Sequence, residues 1–277
     1  MKKVSSEEII KKVADKLVEI NYNLPGKVRE KIENAYREEK EKYSKKYLKI
    51  ILENIDIAGK NRIPICQDTG LIIVFVEIGL DVKIEMGNFR TLDEIINKGI
   101  EEGSKKGYLR NSIILPLERK NTGKNTPGVI HYILKEGDIF KITIISKGFG
   151  AENVSKIEML NPSSGKEGIE NFIIETVKKA GSLPCPPIFI GVGIGGSFEK
   201  AAILSKYALT KICEYENSKW EKEIIEKINS LKIGPGGFGG NITVLDLKIE
   251  TYPTHIAGLP VAVNICCWAH RVGSFEL

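Results

Sequence analysis

The sequence lacks the features that mark exported and membrane-spanning proteins. None of its apolar runs approaches the roughly 20 residues that a bilayer-spanning helix needs. The first residues are polar and amphipathic, and they do not form the apolar core of an export signal. The five cysteines are an odd number, which argues against a disulfide framework. We therefore expect a cytoplasmic protein whose cysteines act as metal ligands, nucleophiles or small apolar fillers.

Signatures of nucleic-acid and nucleotide phosphate binding are also missing. The net charge of +5 is modest, and the most lysine-rich stretch, residues 36–49, also carries glutamates. That stretch is typical of a solvated helix face, so no nucleic-acid partner is expected. The glycine-rich run 234–240 does not end in the Gly-Lys-Ser/Thr of a phosphate loop. It is either a flexible surface loop or a backbone surface close to a cofactor, and composition leaves both interpretations open.

The hydrophobic pattern predicts an α+β fold, with a helical N-terminal segment followed by a mixed α/β domain. One domain is expected over residues 1–277, of which residues 1–58 are mostly helical. Strand 82–86 is expected to return beside strand 71–78, and strands 129–134 and 139–146 are expected to pair. The predicted helices are 5–19, 25–59, 91–104, 166–180, 197–209 and 219–229, and further strands are predicted at 241–250 and 259–265.

Three cysteines lie far apart, each in a segment marked by glycine or proline or near the C-terminus. Cys66 lies in Pro-Ile-Cys-Gln-Asp-Thr-Gly, Cys185 in Leu-Pro-Cys-Pro-Pro, and Cys267 in Asn-Ile-Cys-Cys-Trp-Ala-His-Arg. The close C-x-x-C pairs of structural zinc sites are absent. An iron–sulfur cube accepts distant single ligands, because each corner iron needs one protein thiolate. The spacing therefore favours a cluster with one open iron, and zinc remains an alternative.

A glycine pattern at residues 191–196 suggests a second kind of chemistry. Gly191-Val192-Gly193-Ile194-Gly195-Gly196 satisfies G-x-G-x-x-G, follows an apolar run and precedes a predicted helix. A dinucleotide fold also needs an acidic residue at the end of a second strand about 20 residues later, and no strand pattern is found there. A tight glycine turn facing an anion is the favoured interpretation, and a dinucleotide-binding oxidoreductase is the alternative from another class.

Several segments together resemble one family, the iron–sulfur hydro-lyases that comprise class I fumarases and L(+)-tartrate dehydratases. The resemblance runs from about Ile50 to the C-terminus in the same order. Its motifs are Pro-Ile-Cys-Gln-Asp-Thr-Gly at 64–70, Asn-Thr-Gly at 121–123, Gly-Ile-Gly-Gly-Ser-Phe-Glu-Lys-Ala at 193–201, the glycine run 234–240, and Tyr-Pro-Thr-His-Ile-Ala-Gly-Leu-Pro at 252–260.

The resemblance implies a [4Fe–4S] cluster bound by Cys66, Cys185 and Cys267. Cys267 is preferred to Cys266 because the family's cysteine directly precedes the residue aligned with Trp268. The resemblance also implies the α subunit of a fumarate hydratase of the tricarboxylic acid cycle, with L(+)-tartrate dehydratase as the alternative. A separate β subunit would supply the catalytic base and further substrate-binding residues, and a dimer of heterodimers is expected.

Five further residues receive roles from the same resemblance. Asp68 and His255 would be catalytic. Gln67, Arg110 and Gly150 would bind a small dicarboxylate substrate.

Two positions depart from the family pattern, and four residues are expected to be structural. Lys124 stands where the family more often has Asp, and Phe149 replaces a more usual small residue. Both changes bear on which 2-hydroxydiacid is the substrate. The residues expected to fill structural positions are Cys213, Cys266, His131 and His270.

Overall fold

The computed structural model describes residues 2–277 and confirms the α+β class. The helices are α1 (Ser6–Tyr22), α2 (Gly26–Glu38), α3 (Lys42–Asn61), α4 (Leu92–Lys106), α5 (Phe149–Glu152), α6 (Gly165–Ala180), α7 (Phe198–Leu209) and α8 (Lys219–Asn229). The strands are β1 (Lys2–Ser5), β2 (Leu71–Gly79), β3 (Val82–Glu85), β4 (Val129–Lys135), β5 (Phe140–Lys147), β6 (Lys156–Leu160), β7 (Ile188–Gly195), β8 (Val244–Tyr252), β9 (Leu259–Cys266) and β10 (Arg271–Glu276).

The chain divides into two compact units. Unit 1 comprises the chain up to Pro25, Asn54–Gly148 and Arg271–Leu277, and unit 2 comprises Gly26–Glu53 and Phe149–His270. The single domain expected over residues 1–277 stays a prediction. Among residues 2–277, every helix is too short or too polar to cross a bilayer.

The helix expected over residues 25–59 is interrupted, because α2 ends at Glu38 and α3 begins at Lys42. The carboxylate of Glu39 accepts the backbone N–H groups of Lys40 and Glu41, at 2.8 and 2.9 Å. These amides would otherwise donate to carbonyls one turn earlier, so the side chain competes with the helix for its own backbone. The prediction of one continuous helix was therefore wrong.

The four-stranded sheet of unit 1 has the order β10-β5-β2-β4. Strand β2 lies between β5 and β4, and its β-branched residues are buried along most of its length. It pairs antiparallel with β5 and parallel with β4, so the predicted pairing of β4 with β5 was wrong. The predicted return of β3 beside β2 was also wrong, because β3 pairs in parallel with β1.

Helices α1 and α4 pack closely in the core of unit 1. The hydroxyl of Ser5 caps α1 by accepting the N–H of Glu8, and Thr91 caps α4 in the same way. At Gly103 of α4, a β-carbon would lie 2.8 Å from the carbonyl oxygen of Ala14 in α1. Glycine therefore lets the two helices approach and cover the sheet with their apolar faces.

The sheet of unit 2 has the order β6-β9-β7-β8, and α7 packs on it. Strand β7 contains Gly191 and Gly193, where a β-carbon would overlap the backbone carbonyls of Ser205 and Ala201 in α7. The close approach of helix and strand thus accounts for these glycines. The pattern at 191–196 follows an apolar run and precedes a helix as expected, but its first two glycines lie inside the strand.

Candidate active site

The loop that carries Cys66 connects α3 to β2 in unit 1. The N–H of Ile65 donates to the carbonyl of Asn21 at 2.8 Å, and its carbonyl accepts the amide of Asn54 at 2.9 Å. These bonds engage both the N–H and the carbonyl of Ile65, the residue that precedes Cys66. Cys66 itself is half-buried, and Gln67 is exposed.

The same loop turns towards β2 at Gly70, whose φ angle is positive. Gly70 has a φ of 80°, and a β-carbon there would lie 2.8 Å from the backbone of Lys147. Its N–H donates to Oδ1 of Asp68 at 3.0 Å, which fixes the carboxylate against the turn. The structure thus gives a local reason for the Asp-Thr-Gly order in this motif.

A hydrogen bond joins this loop to the loop of Arg110. The hydroxyl of Thr69 donates to the carbonyl of Arg110 at 3.1 Å, and Ser112 donates to the same carbonyl at 3.2 Å. The preceding residue, Leu109, is buried in the core of unit 1, whereas Arg110 is exposed. The structure therefore joins the segment of Cys66, Gln67 and Asp68 to the segment of Arg110.

The polar segment between Arg110 and β4 has its own network of hydrogen bonds. The amide of Asn125 lies buried and its oxygen accepts the N–H of Ser112 at 2.9 Å. Asn121 donates to the carbonyl of Asn111 at 2.8 Å, and Asn111 donates to the carbonyl of Gly123 at 2.9 Å. The asparagines of this segment thus supply the partners that a regular element would give its backbone.

Arg271 is a neighbour of Asp68 that the sequence reasoning did not select. A β-carbon at Gly148 would lie 3.3 Å from Oδ2 of Asp68 and 3.7 Å from Nη2 of Arg271. The guanidinium is only 1% exposed and donates to Oδ1 of Asn21 at 3.0 Å. The signal that could have identified it is its place four residues after Cys267, where a charged side chain begins a strand.

Cys185 lies in unit 2, in the segment that leads into β7. It is exposed and has a φ of 55°, an uncommon conformation for a residue other than glycine. Its N–H donates to the carbonyl of Ser182 at 3.1 Å, and the carbonyl of Pro186 accepts the N–H of Gly236 at 2.7 Å. The predicted substrate contact Gly150 also lies here, since its β-carbon would be 3.8 Å from the carbonyl of Leu183.

Cys267 directly follows β9, and its neighbour Cys266 faces the interior. The thiol of Cys266 lies 3.4 Å from Nδ1 of His270, whose Nε2 lies 3.0 Å from the carbonyl of Leu209. A carbonyl only accepts, so Nε2 carries the proton and Nδ1 accepts from the thiol. Cys266 and His270 thus form a buried structural pair, while Cys267 remains half-buried.

The fifth cysteine, Cys213, is a poor ligand in this structure. Burial, together with the charge of Asp246, raises the pKa of the Cys213 thiol to about 12. Its N–H donates to Oδ2 of Asp246 at 2.9 Å, so the residue is tied to a buried carboxylate. The thiolate that binds a metal is therefore disfavoured at neutral pH.

His255 lies on the exposed connection between β8 and β9. Its Nδ1 accepts the N–H of Ala257 at 3.2 Å, so the neutral imidazole carries its proton on Nε2. Thr254 donates to the carbonyl of Gly196 at 2.8 Å, which joins this connection to the glycine turn before α7. A groove in unit 2 is lined by this turn, by Lys200 and by His255.

The chemistry of the donors fits an iron–sulfur cluster bound by three of the five cysteines. Cys185 is exposed and Cys66 and Cys267 are half-buried, whereas Cys266 is buried against His270 and the half-buried Cys213 is hydrogen-bonded to the buried Asp246. Within either unit taken by itself, residues 2–277 contain no group of three His, Cys, Asp or Glu side chains arranged as a metal site. Cys66 belongs to unit 1 and the other two to unit 2, so their common site stays a prediction.

Known proteins match this chain along nearly its whole length. The family model of fumarate hydratase (Fumerase) matches residues 10–276. A protein of Methanocaldococcus jannaschii named "Putative L(+)-tartrate dehydratase subunit alpha" is 43% identical over 275 residues, which cover 94% of this chain and 95% of that protein.

Relatives from Escherichia coli carry the same kind of name. L(+)-tartrate dehydratase subunit alpha of strain UTI89 is 32% identical over 274 residues, covering 96% of this chain and 89% of that protein. The protein of that name from strain O157:H7 is 33% identical over 271 residues, covering 95% and 88%. Each of the three relatives is therefore matched over at least 88% of its length, and each is named as a subunit alpha.

Proposed function

The chain belongs to the fumarate hydratase (Fumerase) family of hydro-lyases, and we propose that it is the α subunit of an iron–sulfur enzyme that interconverts fumarate and (S)-malate. The observation that carries the proposal is the hydrogen bond from Thr69 to Arg110. It joins a loop that offers a thiol, an amide and a carboxylate to a loop that offers a guanidinium. A guanidinium binds a carboxylate in a bidentate manner, which suits a dicarboxylate substrate.

The cofactor of this proposal is a [4Fe–4S] cluster on Cys66, Cys185 and Cys267. The engagement of Cys213 by Asp246 and of Cys266 by His270 supports this choice of ligands. When bound, such a cluster supplies a Lewis acid that stabilises the negative charge on the departing hydroxyl oxygen.

The side chains of this chain then bind the substrate and handle its protons. Dehydration of (S)-malate removes a proton from one carbon and hydroxide from the next, so the products are fumarate and water. Arg110 would orient one substrate carboxylate, with Gln67 and Gly150 as further contacts. Asp68, whose other oxygen is fixed by Gly70, would give the departing hydroxide its proton. His255 would donate a hydrogen bond from Nε2, since its Nδ1 is occupied.

The base that takes the carbon-bound proton is proposed to lie on a separate β subunit. The names of the relatives, each a "subunit alpha", support a second polypeptide. A dimer of such heterodimers is the proposed assembly.

A second candidate function is that of the α subunit of L(+)-tartrate dehydratase, which removes water from tartrate to give oxaloacetate. The names of the three relatives favour it, whereas the description of the family model favours fumarate hydratase. Both reactions eliminate water from a 2-hydroxydiacid, so the same ligands and carboxylate-binding residues serve either one. Lys124 and Phe149, which depart from the usual family pattern, are the positions most relevant to the choice.

The first experiment tests the cluster. We expect the chain, purified without oxygen, to contain about four iron and four acid-labile sulfide per polypeptide. Cys66→Ser should lose most of this iron, whereas the matched variant Cys213→Ser should keep it, because its thiol is tied to a buried carboxylate. Zinc in place of iron, or equal iron in both variants, would contradict the proposal.

The second experiment identifies the substrate. The chain is assembled with its partner subunit without oxygen, and the rates of water elimination from (S)-malate and L(+)-tartrate are compared. A higher kcat/KM for malate supports the first candidate, and a higher value for tartrate supports the second. An assembled enzyme with a full cluster that dehydrates neither acid would contradict both.

A further inference from the structure

Glu39 has a buried carboxylate between α2 and α3, both of which begin in unit 2. It is 1% exposed, and its Oε1 accepts the N–H groups of Lys40 and Glu41. Its Oε2 accepts the N–H groups of Asn241 and Ile242, at 2.9 and 3.3 Å. Four amide donors offset the cost of burying the charge, and two of them come from a segment about 200 residues along the chain.

The second pair of donors directly follows the glycine loop, which we define as Gly234–Gly240. Gly240 has a φ of 109°, and a β-carbon there would lie 2.6 Å from Oε2 of Glu39. The absence of a side chain at this position therefore lets the carboxylate reach the backbone. This contact gives a structural reason for the glycine that ends the loop.

Ser44 fixes the same loop from the first turn of α3. It is completely buried, and its hydroxyl lies 2.5 Å from the carbonyl of Gly239 and 3.2 Å from that of Pro235. The ring of Tyr47, one turn further along α3, meets the ring of Phe238 edge to face at 6.0 Å. The loop is thus attached to α3 along its length, which argues against a freely flexible loop.

The glycine loop also contacts the segment of Cys185. The N–H of Gly236 donates to the carbonyl of Pro186 at 2.7 Å. At Gly237, a β-carbon would overlap Cβ of Ser182, the residue whose carbonyl accepts the N–H of Cys185. Cys185 therefore lies between two residues that the glycine loop contacts directly.

We propose that Glu39 and Ser44 are positioning residues for Cys185, acting through the glycine loop. The carboxylate and the hydroxyl fix the loop, and the loop fixes Ser182 and Pro186 on either side of the thiol. Cys185 has a φ of 55°, which a residue with a side chain adopts only when its surroundings determine it. The two residues thereby maintain an exposed thiol in one orientation without touching it. The role in cluster binding rests on the proposed function, whereas the positioning of Cys185 does not.

The test replaces one acceptor and compares it with a matched carboxylate elsewhere in unit 2. Glu39→Gln keeps the shape but places an NH₂ group against backbone donors. The control is Glu221→Gln, because Glu221 is also buried and accepts the backbone N–H groups of Ser218 and Ile249. Amide hydrogen exchange is measured in the metal-free protein at Ser182, Leu183, Cys185 and Ile188, the residues of the stretch 182–188 that have a backbone N–H. We expect exchange about tenfold faster in Glu39→Gln and unchanged in Glu221→Gln.

A second measurement reports on the cofactor. In the anaerobically reconstituted protein, Glu39→Gln should change the electron paramagnetic resonance spectrum of the reduced cluster and speed iron release to a chelator. Glu221→Gln should change neither. If Glu39→Gln does not fold, Ser44→Ala removes the hydroxyl alone and should give the same changes at smaller size.

The outcomes separate the two proposals. Unchanged exchange at residues 182–188 in both Glu39→Gln and Ser44→Ala would overturn the positioning role, as would equal changes in Glu221→Gln. Faster exchange in Glu39→Gln, with no iron bound by the wild-type protein, would support the positioning of Cys185 and contradict the cluster.

Discussion

The loops of Cys66 and Cys185 are fixed in different ways. In unit 1, the half-buried Asn54 and the buried Thr69 fix the Cys66 loop by donating from neutral side chains to the carbonyls of Ile65 and Arg110. In unit 2, the backbone of the glycine loop contacts the Cys185 segment, and a buried carboxylate fixes that loop. Both arrangements fix the loop that carries a thiol, one through neutral polar side chains and the other through a buried carboxylate.

The difference predicts where substitutions should matter. The carbonyl of Arg110 accepts both Thr69 and Ser112, so it keeps a partner when one hydroxyl is removed, and such a replacement near Cys66 should have a small effect. Removing a buried acceptor leaves its donors unsatisfied, and each unsatisfied donor costs about 1–3 kcal/mol. Substitutions far from the thiol should therefore disturb the Cys185 segment more than the Cys66 loop.

The largest effect is expected at Arg110, the proposed substrate contact whose loop is hydrogen-bonded to the loop of Cys66. Arg110→Met should lower kcat/KM of the assembled enzyme by roughly 100- to 1,000-fold, the loss typical of removing one partner of a charged pair. The matched control is Arg119→Met, an exposed arginine of the same segment with no assigned role. Equal losses in both variants would refute a specific role for Arg110.

The next effect tests whether the conformation of the Cys66 loop depends on the glycine at position 70. Gly70→Ala should destabilise the protein by about 3 kcal/mol, because a left-handed φ and a clash with the Lys147 backbone add together. Gly123→Ala has a similar φ of 78° but no atom within 4 Å of its β-carbon, so it should cost only about 1 kcal/mol. Urea unfolding of both variants measures the difference.

An equal loss of stability in the two glycine variants would show that the left-handed conformation alone determines the cost. A loss in Gly70→Ala without any change in iron content would show that the Cys66 thiol tolerates movement of its loop. Either result would weaken the contrast between the two thiol loops.

The smallest effect separates the proposed ligands from the structural thiol of Cys213. Burial and Asp246 raise the pKa of this thiol to about 12, above its ordinary value of 9.0. The protonated thiol therefore contributes stability that is fully present below pH 9 and is lost as the pH rises towards 12. Unfolding free energies of wild type and Cys213→Ser should diverge by about 1 kcal/mol between pH 7 and pH 10, with the serine variant losing less. Parallel pH profiles would contradict the raised pKa.

Local patterns in the sequence predicted most of the helices and the motif-bearing segments. Ser5 and Glu8 begin α1 as the capping pattern indicates, and the buried strand beginning at Leu71 forms as expected. The α+β class followed from the order of such elements. These features depend on residues within one or two turns, whose propensities act before distant parts of the chain meet.

Strand partners and charged neighbours were harder to predict. The hydrophobic pattern identifies β4 and β5 as strands, but it does not say that β2 lies between them. Arg271 looked like one charged residue at the end of a motif, and only the fold buries it beside Gly148. The roles of Asp68, Arg110 and His255 in catalysis remain predictions, since local geometry supports them without testing them.

The sequence by itself determined the local elements, the family motifs and the segments in which the candidate ligands stand, because these depend on neighbouring residues. Only the tertiary structure decided that residues 25–59 break at Glu39, that the glycine loop is attached to α3, and that Cys213 is hydrogen-bonded to Asp246 and Cys266 is buried. Each of these depends on a contact between segments far apart in the chain. Such contacts form when burial leaves a polar group no partner except one supplied by the fold.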